Sequence, residues 1–486
     1  MLQTAKARGI MFYLHLTIGV FFLFVFGRVF PTMEPLTEVG MQIMGVFIGV
    51  IWLWCFVGFL WPSLLALVAF GLTDFASFGQ VLTMSFGHHV PILLLFSMIL
   101  FGSPQHVGAT RYITRWFLTR RVFNNRPIIF AFVFFFATYA LSVAVNVTPA
   151  LILMWTVLYG VLKELGYKKG DKFASLMLVG TFLGAISGQA SLPFTGSTLA
   201  ILSVFETAAG MPMPPLQYIL LGIIFSILIF TIYCLFMKFI LKPADLEKVS
   251  NVSTELFERD PLPPMSKLQK ANFISMLAFV VLMLLPSFLP DGFIVTELLN
   301  TLGAAGTAIL ITTLMCVIQV ERKPILDFRA VAKDSISWDI FIMVAVAMAI
   351  ANALTDEATG VLAMMIQVFD PVLGGHSSIV FFVVMLLIGI FVTSFASSMV
   401  IGIALMPVLV AFGVSAGANL PAVAATTTLL LHYSIILPSA SVFAAMLWSN
   451  EEWIARKEVF RYGAFIVVAA TIAAIAIIMP ISLVLF

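Results

Sequence analysis

Charge is scarce in this 486-residue chain: 10% of its residues are Asp, Glu, Lys or Arg, against roughly 25% in ordinary soluble proteins. With 62% hydrophobic residues, that scarcity excludes a soluble globular protein and leaves a polytopic membrane protein. Cysteine is scarce too. Cys55, Cys234 and Cys316 all lie in apolar runs, so neither a disulfide framework nor a cysteine metal site is indicated. The first apolar run, after Lys6 and Arg8, lacks a small-residue cleavage site. It reads as a first transmembrane helix rather than a removed signal. Phosphate loops, metal-ligand spacings and nucleophile elbows are missing as well. No enzyme activity and no nucleic-acid partner is expected, and the lipid bilayer is the expected surrounding.

What is present is a series of long apolar runs. A spanning helix needs about 20 apolar residues. Candidate spans fall at 11–28, 40–55, 60–73, 90–107, 173–205, 216–241, 271–288, 299–319, 337–354, 420–448 and 461–485. Two more runs, 128–162 and 377–415, are too long for one helix. Basic residues favour the cytoplasmic side. Placing the N-terminus inside, and letting both long runs return to the side they left, puts every Lys and Arg except Arg28 on that side. The expectation is an integral protein of the plasma (inner) membrane with a cytoplasmic N-terminus and an external C-terminus.

The returning runs carry polar interruptions: "NVTP" at Asn146–Pro149 in the first and "TSFASSM" at Thr393–Met399 in the second. Each interruption is either a polar turn between two short spans or the tip of a re-entrant hairpin. Irregular backbone at mid-membrane depth is tolerated only where it lines protein or a water-filled cavity. A repeat supports the hairpin reading. The segment 91–113 is echoed by 338–362, each then leading to an interrupted run. After each run comes a span broken at a proline, "SGQASLPFTGST" around Pro193 and "HYSIILPSAS" around Pro438. Proline removes an amide donor and frees a carbonyl. The parity of the spans makes the two halves inverted, and paired interruptions in inverted repeats point to a mid-membrane transport site. The expected fold is an all-α polytopic membrane protein of about 11 transmembrane helices. Its expected parts are an extra N-terminal helix (1–38), a first inverted repeat (39–242), a cytoplasmic linker (243–270) and a second inverted repeat (271–486), each repeat with a re-entrant hairpin and a broken helix.

This order of hairpin, broken helix, hairpin and broken helix resembles the divalent-anion/sodium symporter (DASS) family of the ion transporter superfamily. That family carries Ser-Asn-Thr at each hairpin tip. The matching positions here are Val145-Asn146-Val147 and Ser397-Ser398-Met399, so only Asn146 and Ser397 keep the triplet identity. The broken-helix stretches that match are Thr195-Gly196-Ser197-Thr198 and Ser441-Val442-Phe443-Ala444. The chain looks like a divergent member.

The resemblance implies a homodimeric secondary transporter of di- or tricarboxylates or sulfate, with Na⁺ as the coupling ion and no other cofactor. Its implied substrate residues are Asn146, Val147, Thr148, Thr195, Ser197, Thr198, Ser397, Ser398, Met399 and Ser441. The implied Na⁺ site uses Thr393, Ala396, Ser398 and Ala440. In the first half the corresponding cation positions are Leu141, Val145 and Phe194, which bring no side-chain oxygen. Na⁺ coupling is therefore expected to be weakened or replaced by exchange.

The acids agree with an anion site by their absence. All 23 Asp and Glu lie in loops or at span ends, Asp339 and Glu206 coming nearest to a core. Helix N-termini and hydroxyls can hold a carboxylate without any arginine. His432 is the one histidine deep in a span, and an intramembrane ionisable group is a functional candidate. It is either a neutral imidazole bonded to a backbone carbonyl or the proton candidate of the site. Asn146 could equally serve as a helix-packing hydrogen bonder. A rival to the carrier is an anion channel, or a scaffold of this fold that has lost transport.

Overall fold

The computed structural model describes every residue except 1–8, 33, 113–125, 169, 244–262, 291, 374–376 and 451–452, and side chains throughout these except 369–373. The first helices are α1 (Ile10–Val29), α2 (Glu38–Phe56), α3 (Leu60–Gly71), α4 (Phe78–Ser85) and α5 (His89–His106). A hairpin follows, α6 (Pro127–Val145) and α7 (Val147–Glu164), with the single residue Asn146 between its legs. Next come the two pieces of a broken helix, α8 (Lys172–Ala190) and α9 (Gly196–Ala209), and the long α10 (Pro215–Leu241).

The same order then recurs. After α11 (Lys267–Ser287) and α12 (Ile294–Val317) come a short ribbon, Gln319–Val320 paired with Lys323–Pro324, and α13 (Phe328–Ser335). Helices α14 (Trp338–Thr355) and α15 (Val361–Leu373) lead to a second hairpin, α16 (Ser378–Thr393) and α17 (Ser398–Ser415). A second broken helix, α18 (Leu420–Leu431) and α19 (Val442–Trp448), precedes the terminal α20 (Arg456–Leu485). The all-α polytopic fold, with a hairpin and a broken helix in each half, is thus the observed one. Of the expected linker 243–270, residues 244–262 lie outside the described residues, and Lys267 to Lys270 already form the first turn of α11.

Among the described residues, eleven helices are long and apolar enough to cross a membrane. The number matches the expectation but the members differ. Both legs of the first hairpin and α17 are among them, whereas α3, expected as a span over 60–73, has only 12 residues and is too short to cross alone. The expected span 90–107 is preceded by α4, which a Ser77/Gln80 capping box starts afresh. Helices α4 and α5 meet at 43°, because His88 between them is extended.

Helix α8 lies at the centre of the fold, buried from Phe173 to Ala190. Its composition explains how. Gly180, Gly184 and Gly188 recur every fourth residue and present a bare backbone stripe to α6. A Cβ at Gly184 would stand 2.4 Å from the Phe135 carbonyl oxygen, and one at Gly188 2.5 Å from that of Tyr139. Small residues at this spacing let membrane helices approach closely enough for backbone packing to hold them together. The halves interlock as well. Helix α9 packs on α17, where Gly402 receives the Ile201 side chain. The segment after α19 reaches the first hairpin, with Asn450 donating to the Tyr159 hydroxyl at 2.6 Å and Trp453 stacked on the Tyr159 ring. Arg28, the one basic residue out of place by charge, donates to the Phe24 carbonyl and to the Leu72 carbonyl at the end of α3. There it meets the negative end of a helix dipole.

Candidate substrate site

The two breaks meet in the middle of the chain's fold. Helix α8 ends at Ala190, residues 191–195 are irregular, and α9 restarts at Gly196. In the second half α18 ends at Leu431 and α19 restarts at Val442, with one short turn at Pro438–Ala440. Both prolines expected to break the spans lie inside these interruptions.

Hydrogen bonds join one break to the other. His432 Nδ1 lies 2.8 Å from the Thr428 carbonyl oxygen, and a carbonyl can only accept, so Nδ1 carries the ring proton. In the neutral ring Nε2 is then an acceptor. It faces Ser197 Oγ at 3.0 Å and Thr198 Oγ1 at 3.3 Å. Thr198 gives its single proton to the Gln189 main-chain carbonyl at 3.0 Å, so the donor to Nε2 is Ser197. Ser197 Oγ in turn accepts from Gln189 Nε2 at 3.1 Å. A second tie lies alongside: Ser187 donates to the Leu183 carbonyl, so the Tyr433 hydroxyl donates to Ser187 at 3.1 Å.

The restart of α9 has a specific geometry. Thr195, at the N-cap, makes no capping side-chain bond, and the first helical bond runs from Leu199 N to Thr195 O. The amides of Gly196, Ser197 and Thr198 thus form an open helix N-terminus, which favours an anion. Gly196 has φ +57°, and a Cβ there would stand 2.7 Å from Gln189 Nε2. Only glycine lets the Gln189 amide lie across this turn.

Four buried oxygens without partners among the described residues lie on or just after the inner helices of the two broken spans, and a fifth, Thr296 Oγ1, lies on α12. Among the described residues, Gln189 Oε1, Thr426 Oγ1, Thr427 Oγ1 and Ser434 Oγ have no hydrogen-bond partner, although all four side chains are buried. Orphaned buried polar groups cost about 1–3 kcal/mol each, and such groups ask for an explanation by ligand or ion. These four residues were not legible in the sequence as site residues. Gln189 stood in view, an amide in the middle of an interrupted apolar span. The run Thr426–Thr428 did not, since hydroxyls are common in membrane helices.

The remaining expected residues divide. Ser197, Thr198 and His432 are joined as described, and Thr195 occupies the N-cap position of the same turn without a side-chain cap bond. Asn146 is exposed at the first hairpin tip with φ 116° and ψ 162°, a region that is essentially glycine's, and its side chain accepts from Val147 N at 2.7 Å. Such backbone strain at a non-glycine residue persists only where the surrounding structure holds it. Thr148 is half-buried beside it and Val147 is buried. At the second tip Ser397 is half-buried while Ser398 and Met399 are buried. No hydrogen bond among the described residues links either tip to the His432 group. Ser441 accepts from Ala444 N at 2.9 Å and so serves as the cap of α19.

Of the expected Na⁺ ligands, Thr393 is buried and donates to the Gly389 and Ile390 carbonyls, Ala440 is buried, and Ala396 is half-buried. Leu141, Val145 and Phe194 are buried, and the Phe194 ring packs edge-on against Phe279 of α11. The acid on α9, Glu206, accepts from Met213 N at 2.7 Å and holds the turn after that helix. A separate crevice between α2, α9, α14 and α17 is lined by Val50, Trp54, Val204, Ile350, Ile403 and Pro407, and offers an anion nothing polar.

A family model described as CitMHS, citrate transporter, matches residues 46–431. The chain belongs to this citrate-transporter family. The match spans both hairpins, the whole first broken helix and α18, and stops one residue before His432. It bears out the resemblance to the divalent-anion/sodium symporters, with this chain a divergent member. Two solved transporters share the fold. One is YdaH of Alcanivorax borkumensis, whose topology is described as unusual: 12% identity, 83% of this chain and 87% of that one covered, TM-score 0.59. The other is MtrF of Neisseria gonorrhoeae, described within a class of antimetabolite efflux pumps: 15% identity, 97% and 96% covered, TM-score 0.55. No curated protein matches the chain. The citrate-transporter family and the shared fold make this chain an integral membrane transport protein.

Proposed function

We propose that this protein is a secondary active transporter of small polycarboxylate anions, citrate foremost, working by alternating access between two inverted halves. The observation that carries the reading is the open N-terminus of α9, ringed by Gln189, Ser197, Thr198 and His432 where the two breaks meet. A helix N-terminus supplies amides and partial positive charge to a carboxylate. Among the described residues no Asp or Glu hydrogen-bonds this group. The hairpin tips, with Asn146 and Thr148 on one side and Ser397 and Ser398 on the other, complete the lining in this reading.

One Na⁺ near Ser398, coordinated by Thr393 and by the backbone at Ala396 and Ala440, is the most the ligand supply supports. The first half offers hydrocarbon at Leu141, Val145 and Phe194. A hard cation wants several oxygens, so exchange or a single cation balances the substrate. The protein works as a homodimer in the plasma (inner) membrane, with its N-terminus cytoplasmic. Thermal stabilisation of the purified protein across citrate, succinate and sulfate, each with and without Na⁺, tests the reading. Citrate should stabilise at concentrations where sulfate does not. A protein stabilised by none of the three would sink it.

A further inference from the structure

Gln189 lies on the last turn of α8, 7% exposed, with its side-chain amide across the first turn of α9. The direction of that amide follows from the hydrogen bonds behind it. Thr428 accepts from His432 Nδ1, Nε2 accepts from Ser197, and Ser197 must therefore receive a proton from Gln189. The NH₂ group faces Ser197, and Oε1 is left buried without a donor among the described residues.

An amide oxygen can only accept, and so can a carboxylate. Oε1 is unsuited to the anionic groups of the substrate, which the α9 amides and hydroxyls suit. It needs a donor. Na⁺ would require several more oxygens, and the adjacent ones, Ser197 Oγ and Thr198 Oγ1, already stand in bonds to Gln189 and His432. We propose that Gln189 is a specificity-determining residue that accepts a hydrogen bond from a hydroxyl group on the substrate, so that the site selects hydroxylated polycarboxylates over their deoxy counterparts. The proposal rests on the polycarboxylate reading above and narrows it. A hydroxylated ligand satisfies Oε1, whereas a deoxy ligand leaves the acceptor unpaired, as it stands without ligand. A buried group left unpaired lowers affinity by roughly ten- to a hundredfold.

Calorimetric titration of the purified full chain tests this with two matched pairs, citrate against tricarballylate and malate against succinate. Each pair differs only by the hydroxyl. The wild-type protein should bind the hydroxylated member about ten- to a hundredfold more tightly. Gln189→Met, close in size but without an acceptor, should bring the members of each pair to within about threefold while still binding tricarballylate. Ser197→Ala, which frees the amide to turn, should narrow the gap as well. Equal wild-type affinities within each pair overturn the proposal whether or not the variants fold. Equal weakening of both members by Gln189→Met also overturns it, since Gln189 would then only position α9. A gap that persists in Gln189→Met while Na⁺ dependence disappears overturns it in favour of a cation ligand. If no polycarboxylate binds, the transport reading fails and takes this proposal with it; binding without discrimination sinks the proposal alone.

Discussion

Replacing Asn146 by glycine separates two roles that one residue plays. At φ 116° and ψ 162° its backbone sits where a Cβ is strongly disfavoured, at a cost of order 1–3 kcal/mol. Glycine removes that strain and gives back about 0.5–1 kcal/mol through the entropy of the unfolded chain. The lost side-chain bond to Val147 N matters by only a few tenths of a kcal/mol when glycine is the replacement at such a cap. The net expectation is a variant as stable as wild type or up to about 2 kcal/mol more stable. Alanine keeps the Cβ and the strain and loses the bond, so Asn146→Ala should fall about 1 kcal/mol below wild type. Unfolding of the three proteins in one detergent should give the order glycine, wild type, alanine, or glycine level with wild type. Both variants should lose citrate exchange by at least about tenfold, because both lack the tip amide that the proposed site uses. Glycine less stable than alanine would refute the strain. Wild-type exchange in Asn146→Gly would remove the side chain from the site.

Three other outcomes are expected. His432→Phe leaves the Ser197 hydroxyl without its partner on the other break; at about 0.6–1.7 kcal/mol per interhelical bond in a membrane, unfolding should shift by roughly 1–2 kcal/mol, and an unchanged unfolding midpoint would deny the tie between the breaks. Uptake into vesicles should depend on Na⁺ with a Hill coefficient near one or not at all, and a coefficient of about two or more, which requires at least two coupled ions, would contradict the hydrocarbon reading of Leu141, Val145 and Phe194. A cysteine placed at Arg322, in the exposed turn of the ribbon, should label only from the cytoplasmic side and one at Phe486 only from outside, the reverse pattern overturning the proposed orientation.

The hairpins and breaks were legible because polar residues and prolines in apolar runs are rare enough to signal backbone departures. Asn146 and Pro193 mark their interruptions to within a few residues. Helix α3 was misjudged because its run over 60–73, though apolar, already falls short of the about 20 residues a span needs, and its helix stops at Gly71. The candidate site was half legible. Ser197 and Thr198 follow Pro193 in sequence and His432 is conspicuous in an apolar span, yet their contact joins residues 234 and 235 positions apart. Gln189 escaped notice because it precedes the break, and its role depends on which way one amide faces. Ser441 caps α19, and a hydroxyl after a break fits the roles of cap and ligand alike in sequence.

Counterflow of labelled citrate in proteoliposomes tests the carrier most directly. Vesicles preloaded with unlabelled citrate should take up label faster than empty ones, with a rate that saturates as external citrate rises. Uptake proportional to concentration and indifferent to internal citrate would make the protein a channel, and no uptake would make it a scaffold.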